Sequence, residues 1–86
     1  MKCAIFDTWV DRREGGKMHF DIIVPENTAY EQVVAFGKTY LRQKGQEGQP
    51  LHPKNCVFCH TEIAGEDFLN SIDQKGYHIL EMQGCE

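Results

Sequence analysis

The chain has 86 residues, enough for one domain, with 41% apolar and 26% charged residues and a formal net charge of −4. Arg12-Arg13 is the only basic cluster, which argues against nucleic-acid binding. No stretch approaches the roughly 20 apolar residues of a membrane helix. Lys2 leads directly into an alternating pattern that contains Asp7, so no export signal is expected, and the expected compartment is the cytosol, where thiols stay reduced.

Residues 3–10 alternate, with Ala4, Phe6, Thr8 and Val10 on one side and Cys3, Ile5, Asp7 and Trp9 on the other. Residues 18–24 repeat the pattern: Met18, Phe20, Ile22 and Val24 form an apolar row opposite His19 and Asp21. Both segments predict period-two strands. Glu14-Gly15-Gly16 is turn chemistry between them, so a hairpin follows. Both apolar rows are even-numbered, which requires an odd-length loop; a loop Glu14–Gly16 pairs Phe20 with Val10 and Ile22 with Thr8.

Pro25 ends the second strand by removing a donor. Thr28-x-x-Glu31 predicts a capping box that opens a helix to about Lys44. Tyr30, Val33, Val34, Gly37 and Leu41 make its apolar stripe, widened by Phe36 and Tyr40. Gly37 predicts a close approach to the sheet, and Gly45 is a fitting stop. Residues 45–55 are polar, rich in glycine and proline, and expected to form a mobile loop. Residues 56–63 predict a third strand. Residues 65–75 predict a short helix with Phe68, Leu69 and Ile72 on one face, closed by Gly76. Residues 77–82 predict a fourth strand. The order ββαβαβ implies an α+β (two-layer α/β) domain, 1–86, with one mixed four-stranded sheet and two helices on one face. The third strand, second helix and fourth strand are expected to form a right-handed crossover.

Cys56-Val57-Phe58-Cys59-His60 has the highest density of reactive groups. Haem attachment uses this spelling, but the expected cytosolic setting argues against it. Structural zinc needs four ligands, which Cys56, Cys59, His60 and Cys85 could supply; a second Cys-x-x-Cys is absent. A redox pair belongs at a helix N-terminus, whereas this one falls on a strand. Reduced cysteines in an ordinary strand rank first. Alternation then sends Cys59 to the core and Cys56, His60 and Glu62 to the open face.

The open face is expected to carry Asp7, Trp9, His19, Asp21, His60 and Glu62. Imidazoles and carboxylates converging on a sheet can hold a divalent metal or serve as an acid–base pair. An uncovered sheet face is also polar for solubility alone. Trp9, a large aromatic expected to be exposed there, points to a partner or a second copy.

Phe6-Asp7-Thr8 with Met18-His19-Phe20-Asp21, the run Cys56–Glu62, and Gly76-Tyr77-His78-Ile79 with Met82-x-Gly84-Cys85 resemble a small bacterial family known as a domain of unknown function, number twenty twenty-four. The resemblance spans nearly the whole chain. It implies a small α/β domain and carries no activity with it. Its pattern includes Asp7, His19, Asp21, Cys56, Cys59, His60, Glu62 and Cys85 at matching positions.

The leading expectation is a small cytosolic binding protein that acts through the open sheet face around Trp9, as a homodimer or with a protein partner. The alternative is a zinc protein using Cys56, Cys59, His60 and Cys85. Third is an enzyme using His19 or His60 with Asp21 or Glu62, because no nucleophile beside an activating base can be read from the sequence.

Overall fold

A computed structural model describes residues 1–85 and gives the order ββαβαβ. β1 (Lys2–Asp11) and β2 (Lys17–Pro25) are central, while β3 (Cys56–Ile63) and β4 (His78–Gln83) are the edges, in the order β3-β1-β2-β4. Every neighbouring pair is antiparallel, so the sheet is not mixed. The expected right-handed crossover is also absent, because β3 and β4 run in opposite directions. β3 finishes with Ile63 beside Lys2, and β4 starts with His78 beside Ile23, so both face the same end of the sheet. α2 (Glu66–Lys75) carries the chain from one edge to the other. Its 10 residues span roughly 15 Å, which matches roughly 14 Å across four strands.

The hairpin keeps the expected parity but not the expected register. Thr8 pairs with Phe20 and Val10 with Met18, two residues away from the expected partners. The reason is the turn. Arg12 N–H donates to Gly16 O and Gly15 N–H to Arg12 O, with Gly15 and Gly16 at φ 100° and 83°. Two consecutive left-handed residues extend the loop to 12–16, still an odd length.

The two helices lie on opposite faces, not on one. Ala4, Phe6, Val10, Phe20, Ile22 and Val24 pack with Val33, Tyr40 and Leu41 of α1 (Tyr30–Gln43). Cys3, Ile5 and Ile23 pack with Ile72, Phe68 and Leu69 of α2. The signal lay in Cys3, Ile5 and Ile23, three apolar side chains in odd-numbered positions that need cover of their own.

α1 starts without the capping box. Ala29 is the N-cap and no side chain caps the helix. Thr28 is held instead in a turn, donating its N–H to Pro25 O at 3.0 Å. Gly37 does permit close approach: a Cβ there would lie 2.7 Å from Leu51 Cδ2 and 3.0 Å from Ile22 Cδ1. The segment 45–55 is anchored at two points. Leu51 is buried against α1 and the sheet. Gln46 is buried too, accepting from Arg13 N–H at 2.9 Å and donating to Glu14 at 2.7 Å.

Candidate functional site

α2 covers only one half of the odd-numbered face. The uncovered half carries Asp7 and Trp9 from β1 with His19 and Asp21 from β2. Asp7 is the cross-strand partner of Asp21, and Trp9 of His19. On the outer strands Val57 stands beside Asp7 and Leu80 beside Asp21, both exposed. The two carboxylates therefore sit mid-sheet between apolar neighbours.

These side chains converge. His19 Nε2 donates to Asp7 Oδ1 at 2.6 Å. The Trp9 indole stacks on the His19 ring, with centroids 4.0 Å apart and planes 7° apart. That contact fixes the imidazole plane and occupies one face of the indole, so Trp9 is half-buried and not the exposed aromatic expected. One donor atom each from Asp7, His19 and Asp21 lies within 4.8 Å of the other two, and among the described residues this is the one such group of three or more His, Cys, Asp or Glu side chains.

Asp21 is the unusual member. It is only 8% exposed. Burial pushes its carboxyl above the usual range, and the charge of Asp7 adds to the rise; His19 and His60 oppose it. No hydrogen bond to its carboxylate offsets that burial among the described residues. A carboxylate on a largely buried residue that faces a second carboxylate is an unfavourable electrostatic arrangement. A bound cation would relieve it.

β3 departs from simple alternation. Ile5 pairs with His60 but Phe6 pairs with Phe58, so Cys59 forms a bulge with no ladder partner. Above the bulge His60 and Glu62 stay on the odd-numbered face, as expected. Below it the parity reverses: Cys56 and Phe58 join the α1 side. Cys56 is buried, receives a hydrogen bond from Thr8 Oγ1 at 3.6 Å, and has its thiol pushed up by burial. Cys59 is exposed. The expected positions of the two cysteines are thus exchanged, because one extra residue inverts every side chain beyond it.

The cysteine-based zinc set does not assemble. Cys56 lies on edge strand β3 under α1. Cys85 follows β4 at the opposite edge, buried, with its thiol 3.5 Å from His19 O. Cys59 and His60 lie outside the core. All four cysteines are free thiols.

A family model for a domain of unknown function, DUF2024, matches residues 1–82. The chain belongs to this family. The solution NMR structure of protein NE1680 from Nitrosomonas europaea, a structural-genomics target, is similar over the whole of both chains, with 34% identity and a TM-score of 0.86. No curated protein matches. The DUF2024 fold is accordingly an antiparallel four-stranded α+β sheet.

Two features of this DUF2024 chain escape sequence reading. One is the burial of Asp21, which comes from its central strand and its neighbours. The other is the contact of Cys59 with His60, hidden by the assumption of unbroken alternation. The adjacency of a cysteine, a histidine and a glutamate two residues on was the available signal. Two pockets, of about 290 and 230 Å³, lie elsewhere, the first between α1 and the segment 47–51 and the second beside Lys44, Glu81 and Cys85. No described helix is long and apolar enough to cross a membrane.

Proposed function

We propose that this protein acts by binding through the uncovered half of its odd-numbered face, with a first-row divalent cation held by Asp7, His19 and Asp21. The observation that carries the reading is the convergence of the three donors around Asp21, a residue only 8% exposed whose carboxylate accepts no hydrogen bond from another described residue. Two carboxylates and one imidazole suit zinc or manganese better than calcium or magnesium. Three protein ligands leave coordination positions for water or a bound molecule. Trp9 holds the His19 ring in place, the usual task of groups behind a metal ligand. Val57 and Leu80 supply apolar flanks on either side.

Ligation through His19 Nε2 would displace its hydrogen bond to Asp7, the proton moving to Nδ1 of a neutral ring or leaving to solvent from an imidazolium. Titration of chelator-treated protein with Zn²⁺ in a calorimeter, in two buffers of different ionisation enthalpy, tests this. One site per chain, lost in His19→Ala and Asp21→Asn, is the expected result. No saturable heat at millimolar zinc would end the metal reading.

A second reading is favoured by a separate observation. Val57, Phe58 and Ile63 are all exposed on edge strand β3. An edge with exposed apolar side chains invites pairing with another strand. Association of two copies along β3 would make a homodimer that does not depend on Trp9. Sedimentation velocity should then show a concentration-dependent dimer that Ile63→Lys abolishes; a monomer at all concentrations would remove this reading.

A further inference from the structure

We propose that Cys59 is an activated, solvent-facing thiol that exchanges with small disulfides, with His60 as its base and Glu62 positioning His60. The bulge frees Cys59 from the ladder and from the core. Its Sγ lies 3.2 Å from His60 Nδ1, and His60 Nε2 lies 2.8 Å from Glu62 Oε1. A carboxylate can only accept, so Glu62 selects the tautomer with the proton on Nε2. That leaves the Nδ1 lone pair directed at the thiol. Nucleophile, base and base-orienting carboxylate are thus in hydrogen-bond reach in sequence, the arrangement that defines an activated nucleophile. It is built from residues 59, 60 and 62 alone, and it owes nothing to the cation site.

The setting selects the chemistry. Acyl transfer needs donors for an oxyanion, whereas attack on a disulfide needs in-line access to sulfur, which an open strand edge provides. In the step, His60 Nδ1 takes the Cys59 proton as Sγ attacks one sulfur of the disulfide. A new S–S bond to Cys59 forms and the original S–S bond breaks. The electron pair leaves on the departing sulfur, which is released as a thiol after taking the proton from His60. No electrons are gained or lost overall beyond this exchange. Cys3, Cys56 and Cys85 are buried, so no second thiol of this chain resolves the product. Cys59 therefore ends as a mixed disulfide that only an external thiol can reverse, a modification site. Glu62 is beside it, Asp7 and Asp21 share the face, and the net charge is −4. A cationic disulfide is favoured over an anionic one.

The test is the rate of adduct formation with cystamine, a cationic disulfide, followed by intact mass and peptide mapping with a chelator present. Wild type should take one fast adduct, mapped to Cys59, faster than free cysteine under the same conditions. Cys59→Ser should lack it. His60→Ala and His60→Gln should both slow it by roughly tenfold, less than is usual for loss of a general base because a free thiol is already partly ionised at neutral pH. Added imidazole should restore much of the rate in His60→Ala, which a purely structural role would not allow. Glu62→Gln should fall between. A Cys59 rate equal to that of free cysteine, or an unchanged rate in both His60 variants, would overturn the proposal.

Discussion

Asp7 and Asp21 are direct cross-strand partners on the two central strands, with both carboxylates on the same uncovered face. Like charges placed directly opposite one another destabilise a sheet. His19 compensates Asp7 through its 2.6 Å hydrogen bond, while Asp21 is left to its burial. The arrangement costs stability at neutral pH, and the proposed cation would offset that cost.

Asp21→Asn should therefore stabilise the cation-free protein at neutral pH. A carboxyl held above its unfolded value binds more protons folded than unfolded, so stability falls as pH rises from about 4 through the raised folded value. Above that window the penalty is fully present, and the amide removes it. The expected gain is on the order of 1 kcal/mol, or roughly 4–8 °C in Tm for a chain of this length. Thermal unfolding with a chelator, at pH values on both sides of the window, checks the sign. A variant less stable than wild type at neutral pH would show that Asp21 is a structural asset.

His78 should make the docking of α2 sensitive to acid. Burial lowers its tendency to protonate, and Lys75 adds to this while Asp67 opposes it. Its Nδ1 lies 2.8 Å from Ser71 Oγ, and its ring packs on Phe68, both from α2. A histidine with a depressed folded value binds fewer protons folded than unfolded. Its stabilising effect is complete above about pH 6.5 and is lost as pH falls towards the depressed value. Protection of the α2 amides, relative to their intrinsic exchange rates, should fall on acidification before that of α1, and His78→Gln should flatten this dependence.

Gly84 should tolerate no side chain. Its φ is +68°, and a Cβ would lie 2.1 Å from the carbonyl oxygen of Lys17. Its own carbonyl accepts from Arg12 Nη1 at 3.2 Å, tying the end of the chain to the hairpin turn. Gly84→Ala combines backbone strain with a clash against main chain, so a loss of about 2–3 kcal/mol is expected. Urea unfolding measures it. A loss below half a kcal/mol would mean that the C-terminal segment is free to move away.

Much of the fold is legible because period-two and helical patterns are strong here. All four strands and both helices fall within a few residues of where alternation, Pro25, Gly45 and Gly76 put them. The sheet order is not legible, since either edge satisfies β3 locally. The two-faced packing was signalled by Cys3, Ile5 and Ile23 but competed with Asp7, Trp9, His19 and Asp21 on the same rows. In the site, parity alone brings Asp7, His19 and Asp21 to one face. Cross-strand register, which the longer turn shifts by two, decides that Asp7 meets Asp21. The bulge at Cys59 could not be read from alternation, because a bulge is one residue that breaks it.

The most direct measurement is an amide spectrum of isotope-labelled protein titrated with Mn²⁺, whose unpaired electrons broaden nearby signals. The account predicts that substoichiometric Mn²⁺ first erases the amides around Asp7, His19 and Asp21, that excess Zn²⁺ restores them, and that Asp21→Asn abolishes the effect. Broadening confined to exposed acids such as Glu66 and Asp67 on α2, or none at all, would contradict it.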